Sequence, residues 1–228
     1  MDYLHHVLFG IYPYIAFAIF LLGSLIRFDR EQYTWKSDSS QLLRTSQLRW
    51  GSGLFHLGVL FLFFGHMVGL LTPHWLYESL GLSTPNKQML AIISGGIAGL
   101  TCLAGITLLL LRRLLDERIR ATSKPMDIFI LLWIFVTLVI GLISILFSLQ
   151  HQDGSVMLLL GHWAQSIVTF HGGAADALLT VPLIYKIHLM FGMTVFVLFP
   201  FTRLVHVWSG FAAVTYLTRS YQIVRQRG

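Results

Sequence analysis

Four histidines sit where an imidazole needs a reason to be. His56 and His66 lie in the apolar stretch GLFHLGVLFLFFGHMVG, Gly53 to Gly69, and His188 and His206 lie in a second apolar stretch, Leu183 to Val207. A polar ring in hydrocarbon costs on the order of a few kcal/mol unless a partner satisfies it. Imidazole nitrogen is also a strong ligand for transition metals. Four rings shared by two apolar stretches therefore suggest iron held between them. The alternative is a set of buried rings hydrogen-bonded across helices, which suits one histidine in one helix better than four divided between two. The other six histidines are His5, His6, His74, His151, His162 and His171. They fall at span ends or in connecting segments and read as interfacial or loop residues.

The elements that must position these rings are membrane spans. The chain has 228 residues, 55% hydrophobic and only 11% charged, against about 25% charged in an ordinary soluble domain. A span takes about 20 apolar residues, and five windows qualify: about Val7–Ile26, Gly53–Leu71, Met89–Leu111, Ile128–Leu149 and Leu183–Val207. The expected fold is all-α, a single domain of five transmembrane helices over residues 1–228 with a C-terminal tail from 209 to 228. The first window lacks a basic start and a small-residue cleavage site, so it reads as a retained helix.

Lysine and arginine alternate across the spans. Arg27, Arg30, Lys36, Arg44 and Arg49 follow the first; Arg112, Arg113, Arg118, Arg120 and Lys124 follow the third; Arg219, Arg225 and Arg227 follow the fifth. The opposite connections hold only Lys87 and, at the edge of the fifth span, Lys186. The positive-inside rule then places the N-terminus outside and the tail in the cytoplasm.

Spans two and five run antiparallel. Depth therefore pairs His56 with His206 near the cytoplasmic face and His66 with His188 near the outer face. Each pair suits the iron of a b-type heme, which takes four equatorial ligands from the porphyrin and needs no covalent attachment. A bare zinc ion wants three or four protein ligands, and no Asp, Glu or Cys lies beside either pair. Cys102 is the only cysteine, so covalent heme attachment, disulfides and iron–sulfur clusters within the chain are excluded.

Helix periodicity supports this only in part. The eighteen-residue interval between His188 and His206 is about five turns, so one continuous helix would present both on one face; His56 and His66 would stand about 80° apart. The rises also differ, about 27 Å against about 15 Å, and Pro200 offers a bend to absorb the difference. Gly53, Gly58, Gly65, Gly69 and Gly192 lie near the proposed ligands. Each either leaves room for a flat macrocycle or lets two helices approach closely.

Two hemes with both axial positions filled carry electrons and do not activate small molecules. Their donor in a membrane is a lipid-soluble quinol, oxidised near the outer heme with release of protons. Lys87, near the outer start of span three, either hydrogen-bonds a quinone oxygen or snorkels at a helix end. Arg112, Arg113 and Arg203 on the inner side either pair with heme propionates or serve as topology-setting charges.

The chain resembles the gamma subunit of respiratory nitrate reductase, a diheme cytochrome b. The resemblance covers nearly its whole length. It rests on IYPYIA (Ile11–Ala16), QYTW (Gln32–Trp35), SSQ (Ser39–Gln41), LFH (Leu54–His56), GH (Gly65–His66), LTPHW (Leu71–Trp75), QSIVTFHGG (Gln165–Gly173), LFPFTRLVHVWS (Leu198–Ser209) and YLTRSYQIVR (Tyr216–Arg225). It implies an outer, distal heme on His66 and His188 and an inner, proximal heme on His56 and His206. It also implies a quinol site at Gly65, His66 and Lys87. Electrons would pass to a cytoplasmic iron–sulfur beta subunit and on to a molybdenum alpha subunit that reduces nitrate, both anchored at a prokaryotic inner membrane. The turn from Glu78 to Asn86 is less similar than its flanks, which leaves the quinone preference open.

A related assignment is the diheme anchor of a sulfite-reductase-linked, formate dehydrogenase or hydrogenase complex. A different class is a heme-free proton transporter with the histidines as a relay, but that needs a polar-lined path, and the spans hold almost no Asp or Glu.

Overall fold

The structure, a computed structural model, describes residues 2–31, 45–150 and 153–208. The described residues form helices and turns without a strand. Helix α1 (Asp2–His6) runs through a π turn (Val7–Ile11) into α2 (Tyr12–Glu31). Then come α3 (Thr45–Leu71), α4 (His74–Ser79), α5 (Thr84–Leu115), α6 (Glu117–Thr122), α7 (Pro125–Ser148), α8 (Ser155–Val168) and α9 (Leu183–Leu198).

Five helical segments are long and apolar enough to cross a membrane: Tyr3–Glu31, Ser46–Leu71, Thr84–Leu115, Pro125–Ser148 and Leu183–Phe201. Four extend beyond the hydropathy windows at one or both ends. Those windows mark the hydrocarbon-facing part, and the backbone hydrogen-bond ladder continues into the polar interface. Large apolar side chains such as Phe61, Phe64, Leu22 and Ile97 are exposed, as lipid-facing positions should be.

Residue chemistry explains the irregular places. Pro13 cannot donate to the carbonyl four residues earlier. That carbonyl belongs to Phe9, within the π turn, and it accepts the indole N–H of Trp163 at 2.9 Å instead. Gly81 takes φ +80° and closes α4, with Gly81 N–H on the Glu78 carbonyl and Leu82 N–H on the Tyr77 carbonyl, a Schellman ending that favours glycine.

Two sequence expectations change. The segment between spans four and five is not a plain loop. It contains α8 and a 3₁₀ turn, Ala174–Leu178. Trp163, Ile167 and Leu178 are buried there with Phe9, Ala16 and Tyr185. Gln165 of α8 donates to the Leu70 carbonyl at 2.9 Å, satisfying an acceptor left over at the end of α3. The fifth span is also not one helix from Leu183 to Val207. Helix α9 stops at Leu198, followed by 3₁₀ turns at Phe199–Phe201 and Arg203–Val205. Pro200 ends the regular ladder rather than bending it, and Thr202 is extended at φ −122°, ψ 178°. The carbonyls of Pro200 and Thr202 accept from the Arg27 guanidinium at 2.7 and 2.9 Å. Helical phase therefore does not connect His188 to His206.

Helix α3 packs along α5, α5 on α7, α7 on α9, and α2 on the far side of α9. The α3–α5 seam is a backbone-to-backbone approach. A Cβ on Gly58 would come within 2.6 Å of Cys102, and one on Gly105 would strike the Phe55 backbone. Close approach through small residues is the usual way membrane helices gain packing. Between α3 and α9 there is no comparable seam, and the four span histidines face each other across that slot.

Candidate functional site

The slot brings the four rings together as two pairs. His56 and His206 have ring centres 6.1 Å apart with planes at 75°. His66 and His188 also have centres 6.1 Å apart, with planes at 42°. Two imidazoles sharing one metal through nitrogens at about 2.0 Å, with about 1.1 Å more from nitrogen to ring centre on each side, have centres about 6 Å apart. Direct hydrogen bonding between rings would bring nitrogens to about 2.9 Å, and neither pair makes such a bond.

Three of the four rings have their other nitrogen occupied. His56 Nδ1 lies 2.7 Å from the Ser52 carbonyl and 3.2 Å from the Ser52 hydroxyl. His66 Nδ1 lies 2.7 Å from the Leu62 carbonyl, and His206 Nδ1 lies 2.6 Å from the Arg203 carbonyl. A carbonyl only accepts, so in each ring Nδ1 carries the proton and Nε2 keeps its lone pair. That tautomer is the one a metal-ligating histidine adopts, with the backbone bond fixing ring orientation. His188 differs: its Nδ1 is buried without a hydrogen bond of ordinary geometry, although the Thr137 backbone approaches the ring.

The glycines divide into two kinds. Gly58 serves helix packing, as above. A Cβ added at Gly53, Gly65, Gly69 or Gly192 would meet nothing within 4 Å, so these positions flank the rings without bulk. No group of three or more His, Cys, Asp or Glu among the described residues could hold a bare metal ion. The arrangement fits a planar group that brings its own equatorial ligands and needs one imidazole on each face.

The two ends of the slot differ. Around His66 and His188 lies an apolar cavity of about 240 Å³, bordered by Leu62, Gly95, Leu138, Gly141 and Leu189 and, on one side, by Val156 and Leu160 of α8. We call this the capped end. Its few polar groups bond one another: Tyr185 hydroxyl to Ser148 hydroxyl at 2.9 Å, and Gln88 amide to the Ser148 carbonyl at 2.9 Å. At the other end, near His56 and His206, Arg113 and Arg203 both approach Asp127, at 3.5 and 3.9 Å. Arg112 is 3% exposed beside them. Asp116 also lies close enough to attract Arg112, so three guanidiniums stand against two carboxylates and leave a positive surplus at this arginine end, suited to anionic groups.

Lys87 sits at the capped end with its ammonium 3.9 Å from the centre of the Tyr77 ring. It does not line the cavity, whereas its neighbour Gln88 does. Gly65 is exposed next to His66. Of the other histidines, His5 reaches the Ala175 carbonyl, His74 pairs with Glu78 and Thr84, and His6, His162 and His171 are exposed. His151, the basic residues Lys36, Arg44, Arg219, Arg225 and Arg227, the tail from 209 to 228 and the motifs at 32–35, 39–41 and 216–225 lie outside the described residues.

Sequence reasoning missed Gly141. A Cβ there would come within 2.7 Å of His188 Cε1 and 3.2 Å of Nε2. The available signal was a lone glycine in the most apolar span, IFVTLVIGLISILF, where a glycine costs about 1 kcal/mol of helix propensity against alanine.

The nitrate reductase gamma subunit family matches residues 5–227. A respiratory nitrate reductase 1 gamma chain of Escherichia coli (strain K12) is 51% identical over 227 residues, 100% of each chain. A nitrate reductase gamma chain of Bacillus subtilis (strain 168) is 40% identical over 221 residues, 97% of this chain and 98% of that one. The nitrate reductase-like protein NarX of Mycobacterium tuberculosis (strain ATCC 25618 / H37Rv) is 32% identical over 228 residues, 99% of this chain but only 34% of its own length. With its helices, its slot and full-length relatives in agreement, the chain belongs to the nitrate reductase gamma subunit family.

Proposed function

We propose that this multi-pass membrane chain is the cytochrome b subunit of a respiratory nitrate reductase. It takes electrons from quinol and delivers them to partner subunits that reduce nitrate. The observation that carries the reading is the pair of imidazole couples, each 6.1 Å across, with Nε2 left available on three of the rings.

In this reading His66 and His188 hold one b heme at the capped end, and His56 and His206 hold a second at the arginine end. A bis-histidine heme supplies a one-electron carrier with no open coordination position. The Ser52, Leu62 and Arg203 carbonyls keep three ligands in the right tautomer. Arg112 and Arg203, with Arg113, meet propionate carboxylates at the arginine end. Alternating charge puts the capped end outside and the arginine end on the cytoplasmic side. Quinol arrives from the lipid beside Gly65 and His66, where Lys87 donates a hydrogen bond to a quinol oxygen. Two protons leave outward as two electrons leave inward. Val156 and Leu160 of α8 give the cavity an apolar wall on one side. On the cytoplasmic face an iron–sulfur beta subunit receives the electrons and a molybdenum alpha subunit reduces nitrate; the tail from 209 to 228 belongs to that docking face.

The test is the purified complex. It should contain two b hemes for each copy of this chain, and an iron–sulfur and a molybdenum subunit should co-purify. Quinol should reduce both hemes, and nitrate should reoxidise them. A colourless preparation, or hemes that quinol cannot reduce, contradicts the proposal.

A further inference from the structure

The geometry points to Gly141 as the positioning residue for His188, a role that rests on the heme reading above. The other three span histidines are oriented by a backbone acceptor one turn earlier on their own chain segment. His188 has no such acceptor on its own helix: its buried Nδ1 lacks a hydrogen bond of ordinary geometry, and only the Thr137 backbone of α7 approaches the ring. Contact shape against α7 therefore carries much of its orientation. Its ring rests against the bare backbone of α7 at Gly141, where a single added carbon would come within 2.7, 3.2 and 3.3 Å of three ring atoms. Approaches under 3.0 Å force something to shift, because contacts of that length are repulsive.

The helices cannot easily part to make room. On one side of Gly141, the Trp133 ring stacks on Phe191 at 4.6 Å and its indole N–H donates to the Phe191 carbonyl at 3.1 Å. On the other side, the Ser148 and Tyr185 hydroxyls bond at 2.9 Å. The α7–α9 seam is thus pinned on both sides of the contact. A methyl group at 141 displaces the imidazole, not the helix. The α-helix itself tolerates the change, since alanine is a better helix former than glycine.

The experiment is Gly141→Ala in the whole complex, read by low-spin heme EPR and by redox titration of each heme. The g values of a bis-histidine heme follow the relative orientation of its two imidazole planes. The expected result is a shifted g-maximum and midpoint for the capped-end heme alone. Gly141→Val should remove that heme, leaving one per chain. Gly161→Ala is the control, because a Cβ there meets only ordinary contacts at 3.5 Å and beyond; both signals should stay where they are in the wild type. Unchanged spectra and potentials in Gly141→Ala overturn the inference while leaving the two-heme reading intact. Equal disturbance or loss of both hemes in Gly141→Ala also overturns it, because the claim is selective. Wild-type complex without heme overturns both.

Discussion

The two ends of the slot hold their rings at one spacing and build it in different ways. At the capped end both histidines sit on continuous helices, the surroundings are apolar, and α8 walls one side of the cavity. At the arginine end, His206 follows a broken segment and the surroundings are charged. Helix α2 contributes no ligand, yet Arg27 ties down the Pro200 and Thr202 carbonyls that precede His206. The shared 6.1 Å separation is what one metal between two imidazoles demands. The differing surroundings suit the two tasks proposed above: an apolar end to receive quinol, and a charged end to meet heme propionates near a partner.

The largest effects should come from breaking one pair while leaving the other. His66→Ala or His188→Ala should leave one heme per chain and abolish quinol oxidation, with partner subunits still bound. A heme-to-protein ratio and a quinol assay check this, and two retained hemes in either variant would undo the pairing.

Next in size is Lys87→Ala. If Lys87 donates to a quinol oxygen, losing a charged hydrogen bond of about 1.5–3 kcal/mol lowers kcat/KM about 10- to 100-fold. Both hemes should stay in place. Unchanged steady-state quinol kinetics would leave Lys87 as a snorkelling cation resting on Tyr77. A loss of quinol turnover with both hemes retained separates the donor site from the heme ligands beside it.

The arginine end should respond more gently. Asp127→Asn leaves Arg113 and Arg203 facing each other without their carboxylate. A loss of stability of about 2 kcal/mol is expected, read as a lower thermal midpoint in detergent. Removing a negative charge there also favours the reduced iron, so the midpoint potential of the arginine-end heme should rise while that of the capped-end heme stays constant. Equal shifts at both hemes would contradict the spatial assignment.

The smallest effect belongs to Ser52→Ala. The Ser52 hydroxyl is the longer of two acceptors for His56 Nδ1, and the carbonyl at 2.7 Å remains. Heme content should not change. Loss of the arginine-end heme on this substitution would mean that the hydroxyl, not the carbonyl, orients the ring.

Much of this architecture was legible in the residues. Long apolar runs must become helices in lipid, because no other element satisfies its own backbone there. Depth along two antiparallel spans was enough to bring His56 toward His206 and His66 toward His188. What hydropathy does not encode is where a ladder stops. Pro200 permits a bend, a kink or an end, and only Thr202, Arg27 and the packing of α2 decide among them. Helix α8 escaped notice because its fourteen residues are too short to span; its apolar face packs on α3 and on the 3₁₀ turn Ala174–Leu178, in a core shared with Phe9 of the π turn. The role of Gly141 was invisible for a similar reason. A missing side chain has meaning only once the ring that occupies its place is known.

Near-infrared magnetic circular dichroism of the oxidised wild-type complex, quantified against protein, tests the two imidazole-ligated hemes without any substitution. Ligand-to-metal charge-transfer bands report the axial ligands of low-spin heme. Two bis-imidazole hemes per copy of this chain are predicted. A spectrum showing a single such heme, or axial ligands other than imidazole, would contradict the pairing of His56 with His206 and of His66 with His188 about two irons.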